Sequence, residues 1–187
     1  MANKGRMITS SAISWRDAQT LILDLFKDKK YKMGLLWACG IYTGLRISDL
    51  LRLRWEDFNQ DKIKLREKKT NKHREITVNP DLKRLVKKYS GYRTSGFMFI
   101  NRTGDKLISL QYIDTEFKRI AKKYGIQGNF STHSMRKTFG RHIWEQDNES
   151  ERSLILLSKI FNHTHSDVTR TYLGITSAEI ADIYINL

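Results

Sequence analysis

The stretch Thr43-Gly44-Leu45-Arg46-Ile47-Ser48-Asp49-Leu50-Leu51 sits where the pattern of the chain changes. Before it, residues 33–42 are apolar nearly all round, as in a helix at the middle of a core, and Gly44 is the residue expected to end that helix. After it the period becomes two: Leu51, Leu53 and Trp55, then Ile63 and Leu65, then Ile76 and Val78, with a polar turn at residues 70–72. That alternation predicts a small antiparallel sheet. Between the two patterns Ser48 is placed to cap a short helix.

Working outward, Ser14 with Asp17 three residues on resembles a capping box, and Trp15, Ala18, Leu21, Ile22, Leu25 and Phe26 recur at helical spacing. Asn79-Pro80-Asp81 joins a cap residue to a proline at the first helical position, and Leu82, Leu85, Val86 and Tyr89 follow before Gly91 closes the helix. Residues 97–100 and the Thr103-Gly104-Asp105 turn form a brief extended stretch. Ser109 opens a helix through Ile113, Phe117, Ile120 and Tyr124, ended by Gly125. Further helices are expected at 134–146, 151–161, 166–172 and 178–186. The predicted class is mainly α with a small antiparallel β-sheet (α+β). With no repeats and one proline, nothing marks an internal linker, so residues 14–187 form one expected unit behind a basic tail at 1–13.

Length and charge narrow the function. A chain of 187 residues can bury a core without staples. No apolar run approaches the ~20 residues of a membrane span, and no apolar stretch follows the basic N-terminus to make a secretory signal. A cytoplasmic address is expected, and the single cysteine, Cys39, lies in an apolar run as a small hydrophobe. Against 20 Asp and Glu stand 34 Lys and Arg, a net charge of +14. A polyanionic partner follows. Residues 62–74 hold Lys62, Lys64, Arg66, Lys68, Lys69, Lys72 and Arg74 against one acid, Glu67. Such a run fits a contact surface or a merely solvated face equally well.

Four separated features carry more information together than singly: the Arg46 box, the basic hairpin around Lys69, His133-Ser134-Met135-Arg136, and His163 followed nine residues later by Tyr172. Alone, Arg46 reads as a surface arginine, His133 and Arg136 as a capping pair sharing a helix face, and Tyr172 as a half-buried tyrosine. In this order they resemble the tyrosine recombinases of the phage-integrase type. That signature is T-G-L-R-x-S-[ED]-L, a hairpin lysine, H-x-x-R, a later histidine or tryptophan, and a nucleophilic tyrosine. The resemblance covers roughly residues 14–187 and includes Leu53-Arg54-Trp55-Glu56-Asp57-Phe58. Two departures stand out. Asn162 replaces the glycine usual before the second histidine, and Asn71-Lys72 stand where Gly-Lys is typical. The longer step from His133 to His163 implies an extended loop across residues 146–153.

The resemblance implies site-specific DNA strand cleavage and rejoining through a 3′-phosphotyrosyl intermediate, with neither ATP nor a metal or other cofactor. Arg46 and Arg136 would grip the non-bridging phosphate oxygens, for which a planar guanidinium suits better than an ammonium. A tyrosine with a pKa of about 10 is phenolate in only about one molecule in a thousand at pH 7, so His133 is the implied proton acceptor. Lys69 would protonate the departing 5′-oxygen, His163 would bond a phosphate oxygen, and Asp49 would orient the site from behind, though it reads equally as a simple helix-start carboxylate. Arg52, Arg54, Lys68, Lys72 and Arg74 are the DNA-binding candidates. His163-Thr164-His165-Ser166-Asp167 resembles a metal cluster only superficially, lacking a cysteine pair or H-E-x-x-H spacing.

Implied partners are double-stranded DNA and three further copies in a homotetramer, with residues 177–187 exchanged between subunits or packed within one. The source implied is bacterial or a mobile element, and the protein would be nucleoid-associated. An N-terminal core-binding domain would not fit in this chain, so a fragment or a short form resembling the fimbrial-switch invertases is expected. The competing readings are a DNA-binding regulator that keeps the fold without cutting, a related topoisomerase, and a small RNA-binding protein. A regulator would not need Lys69 or Tyr172.

Overall fold

In the computed structural model, which describes residues 9–175, helix α1 (Trp15–Lys27) begins where Ser14 Oγ accepts from the Asp17 amide at 3.1 Å. Its apolar stripe, Ala18, Leu21, Ile22, Leu25 and Phe26, faces α2 (Tyr31–Thr43). Helix α2 is buried on nearly every side, with Leu36, Ala38, Cys39 and Ile41 fully enclosed. The Trp37 indole crosses to donate to the Ala18 carbonyl at 3.0 Å, so the one polar atom of that ring is satisfied inside the core. Burial also pushes the Cys39 thiol up, away from thiolate chemistry.

Gly44 ends α2 in the left-handed conformation at φ 60°. A Cβ there would meet the Phe139 ring at 2.5 Å, so both backbone and space call for glycine. The turn delivers Arg46 to the N-cap of α3 (Ile47–Leu50). Ser48 therefore lies inside that helix and does not cap it, because the left-handed turn starts it two residues early.

The sheet is a hairpin of β1 (Lys62–Arg66) and β2 (His73–Thr77), antiparallel, with Ile63 opposite Ile76 and Leu65 opposite Arg74. Leu51, Leu53 and Trp55 do not join it as a strand. Arg54 makes only an isolated bridge to Phe97, and Trp55–Phe58 coils into a 3-10 turn because the Arg54 amide donates to Asp57 Oδ2 at 2.8 Å and the Asp57 amide to the Arg54 carbonyl at 3.2 Å. Their period of two instead buries Leu51, Leu53 and Trp55 beneath a turn. Asn71 takes φ 58° at the hairpin tip, where the familiar pattern has glycine. Asparagine tolerates this region better than most residues with a Cβ, which explains how the departure is accommodated.

Helices α4 (Pro80–Tyr89) and α5 (Leu110–Tyr124) start at Asn79 and Ser109, whose side chains accept from backbone amides; α4 stops at Ser90, one residue before Gly91. Helix α6 (Thr132–Gln146) crosses α2, and residues ahead of α1 tie to its start: the Ser11 amide donates to Asn129 at 2.9 Å and the Ile13 amide to Thr138 Oγ1 at 3.1 Å. No extended loop follows. Asn148 and Glu149 turn the chain at φ 49° and 59°, and Ser150 caps α7 (Glu151–Phe161) at once. Helix α8 (Ser166–Leu173) completes a second apolar cluster of Trp144, Leu154, Leu157, Phe161 and Leu173. Gly140 on α6 lets that cluster close, since a Cβ there would meet Leu173 at 2.6 Å. The helix expected at 178–186 lies outside the described residues. Among the described residues no helix is long and apolar enough to cross a membrane.

Candidate active site

The C-terminal end of α7 is the meeting point. The Phe161 carbonyl, one of the acceptors a helix leaves unpaired, receives Arg46 Nη2 and Arg136 Nη2, each at 2.9 Å. Arg136 is buried on α6; its other terminal nitrogen donates to the Gly44 carbonyl and its guanidinium lies 4.0 Å over the Phe161 ring. Burial lowers its pKa to about 10, helped by the charges of Arg46 and Arg74 and opposed by Tyr172 and Glu67, which still leaves it a full cation at neutral pH. Arg46 spends its second terminal nitrogen on Glu67 Oε2 at 2.9 Å. Each guanidinium has five N–H groups, so both keep donors for a ligand.

Helix α8 brings Tyr172 to the same place. Its ring packs edge-on to Phe161 and to His163, with centroids 5.6 and 5.5 Å away. Its hydroxyl is buried without a formed hydrogen bond among the described residues. Burial pushes its pKa up to about 12, against the pull of the Arg136 and Arg46 charges. A buried phenol without a well-formed bond costs stability, and here the charges of Arg136 and Arg46 act on it.

His163 Nδ1 lies 2.8 Å from the buried Thr169 Oγ1, which in turn lies 2.8 Å from Ser158 Oγ, so a short polar chain inside α7 and α8 orients the ring. Desolvation, then the charges of Arg136, Arg46 and Lys69, lower the His163 pKa to about 4, so the imidazole is neutral at pH 7. His133, in the first turn of α6, is lowered by desolvation and by Arg136, Lys137 and Lys69, with Asp114 opposing. Lys69 is exposed on the hairpin turn, and its charge reaches both imidazoles. Arg46, Arg136, His163 and Tyr172 thus meet around Phe161, with His133 and Lys69 coupled to that region through their charges.

Asp49 is buried; Oδ1 accepts from the Lys68 amide at 2.8 Å, while Oδ2 has no partner among the described residues. Of the DNA-binding candidates, Arg52, Lys68 and Lys72 are exposed. Arg54 is half-buried, paired with Glu56 and stacked on Phe97. Arg74 differs from the expectation. Its side chain is 11% exposed and turns inward to Glu67 and the Thr43 carbonyl, because the buried carboxylate needs it there.

Sequence reasoning passed over three residues. Glu67, the lone acid of the basic run, is fully buried and accepts from Arg46, Thr70, Arg74 and Asn162. Asn162 takes the left-handed cap of α7 at φ 51°, and its amide reaches Glu67 at 2.9 Å. Lys137, beside Arg136, is buried with its ammonium 5.4 Å from the Tyr172 ring centre. The oddity of one acid among seven bases was the available signal for Glu67; nothing in the chain marked Lys137. No group of three or more His, Cys, Asp or Glu among the described residues could hold a metal ion.

A mainly helical domain with one hairpin, holding two arginines, two imidazoles and a lysine around a tyrosine, is the architecture of a tyrosine recombinase catalytic domain. A model of the phage integrase family matches residues 20–179, and the chain belongs to that family. It is 31% identical over 142 residues to the probable integrase/recombinase YoeC of Bacillus subtilis, covering 75% of this chain and 76% of that one. Tyrosine recombinase XerC of Chlamydia caviae is 24% identical over 177 residues, 89% of this chain and 55% of XerC. Among solved structures, XerH bound to its palindromic difH substrate in a post-cleavage complex superposes with a TM-score of 0.70 at 17% identity, over 97% of this chain and 55% of XerH. The chain spans about half the length of XerC and of that XerH chain.

Proposed function

We propose that this domain cuts and rejoins one strand of duplex DNA through Tyr172, as a site-specific recombinase. The observation that carries the reading is the convergence of Arg46 and Arg136 on the Phe161 carbonyl beside the buried Tyr172 hydroxyl. A phosphodiester already repels nucleophiles, and its displacement spreads more charge over the non-bridging oxygens. The remaining N–H groups of Arg46 and Arg136 supply fixed donors for that charge. His133 takes the phenol proton as Tyr172 Oη bonds to phosphorus; the bond from phosphorus to O5′ breaks, and Lys69 gives O5′ its proton. His163, neutral and held by Thr169, donates to a phosphate oxygen.

The phosphotyrosyl bond retains the energy of the phosphodiester it replaced, so attack by a 5′-hydroxyl from another strand reverses the step without ATP. Duplex DNA is the proposed partner, with Lys68, Lys72 and Arg52 on the phosphates and a homotetramer as the working assembly. The relation to XerC and the fold shared with XerH support this reading. The test is trapping on nicked duplexes drawn from the protein's genomic neighbourhood. Wild type is expected to give a band-shifted covalent adduct and Tyr172→Phe none; an adduct that survives Tyr172→Phe would refute the assignment.

A further inference from the structure

The Lys69 turn is gripped on both sides by buried carboxylates. Before it, the Lys68 amide donates to Asp49 Oδ1 at 2.8 Å; after it, Thr70 Oγ1 donates to Glu67 Oε2 at 2.7 Å. The two acids have different reach. Asp49 belongs to α3, one turn beyond Arg46, while Glu67 begins the turn itself and binds partners from three parts of the chain. Its Oε2 also takes Arg46 Nη1 and Asn162 Nδ2, both at 2.9 Å, and its Oε1 takes Arg74 Nη1 at 3.2 Å. The backbone closes the same turn, with the Asn71 amide donating to the Glu67 carbonyl at 2.9 Å and the Glu67 amide to Lys72 at 3.0 Å.

We infer that Glu67 is a positioning residue that fixes the Lys69 turn against Arg46 and the cap of α7, and so sets where the proton donor meets the phosphate. A carboxylate with no exposed side-chain surface and two arginines on it is a costly arrangement for mere stability, since a buried ion pair often does no better than apolar packing. It does supply what a mobile hairpin lacks. A lysine on a flexible stem delivers a proton well only if its backbone is held, and misplacement by about 1 Å can cost about 100-fold in rate. Asn162 belongs to the same device. In the left-handed cap a glycine would serve the backbone but has no side chain to reach Glu67, whereas the Asn162 amide does so and ties the segment before His163 to the hairpin.

This inference rests on the strand-cleavage reading, and its test separates the two. The full chain is given the duplex that traps wild type, once with an ordinary phosphate and once with sulfur in place of the bridging 5′-oxygen. A thiolate leaves without a proton, so a defect in proton delivery disappears on the sulfur substrate. At saturating DNA, Glu67→Gln is expected to slow adduct formation on the ordinary phosphate about 100-fold, with that slowing reduced to less than about tenfold on the sulfur substrate. Should Glu67→Gln fail to fold, Thr70→Val and Asn162→Gly each remove one bond to Glu67 and are expected to show the same preferential recovery with a smaller defect. Wild-type rates in all three variants, or equal slowing on both substrates, overturn the inference while leaving strand cleavage intact. A wild-type chain that is trapped on no duplex from its genomic neighbourhood, with ordinary phosphate or with sulfur, overturns both.

Discussion

Arg46 and Arg136 share one acceptor, the carbonyl oxygen of Phe161, at 2.9 Å each. Two like charges tolerate this closeness because the oxygen lies at the C-terminus of α7, where the helix dipole is negative, and because Glu67 balances Arg46. The end of one helix therefore sets the spacing of two cations brought from different parts of the chain.

Arg136→Lys should be costly despite keeping the charge. One ammonium cannot reproduce the paired donation to Gly44 and Phe161 or the stacking on the Phe161 ring. Urea denaturation is expected to show a loss of about 1–3 kcal/mol, and adduct formation should fall with it. Unchanged stability would mean that these buried bonds contribute nothing.

Gly44→Ala combines a left-handed backbone with a Cβ placed 2.5 Å from Phe139. Strain of about 1 kcal/mol and overpacking of about 1–3 kcal/mol predict a loss of roughly 2–4 kcal/mol in the same assay. A loss below about 0.5 kcal/mol, the range of an ordinary surface substitution, would show that the turn can relax.

The His163 imidazole, at about 4 in the fold against 6.5 as a free side chain, titrates in a defined window. The unfolded chain takes up the proton first as pH falls, so stability is full above about 6.5 and declines toward 4. Below 4.5 carboxylates add to the decline, because Thr70, Asn162, Arg74 and Arg46 outweigh burial at Glu67 and hold its carboxyl below its usual value. Between pH 6.5 and 4.5, His163→Gln should flatten the dependence of Tm on pH, leaving the parts due to His133 and His142, which shift the same way. An unaltered slope would contradict the burial of His163.

Binding to duplex DNA should weaken steeply with salt, each neutralised phosphate adding about −0.9 to the slope of log K against log salt. Lys68→Ala with Lys72→Ala should make that slope shallower by about one for each phosphate left without its lysine. Arg74→Ala should instead lower the melting temperature and leave the slope alone, since its guanidinium serves Glu67 and Thr43. A shallower slope in Arg74→Ala would place that residue on the DNA after all.

Much of the framework was legible because its signals are local. Caps at Ser14, Asn79 and Ser109, the glycine stop at Gly125 and the alternation of the hairpin each act within a turn or two of their own residue. Where a pattern had two physical outlets, reading failed. Leu51, Leu53 and Trp55 alternate as a strand would, yet the Arg54–Asp57 cap coils the segment; residues 146–153 are polar as an extended loop would be, yet only a short turn separates α6 from the helix read at 151–161.

The linear order of residues was enough to single out Arg46, Lys69, His133, Arg136, His163 and Tyr172 as the proposed reactive groups, because their chemistry belongs to the side chains and their order is distinctive. It placed Arg74 on the DNA, where the fold turns that side chain inward to Glu67, and it left Glu67 as one acid in a basic run. Those roles depend on which distant atoms surround each charge once α6, α7 and the hairpin pack together. A buried carboxylate draws the nearest guanidiniums inward, and that attraction exists only after folding has removed the water between them.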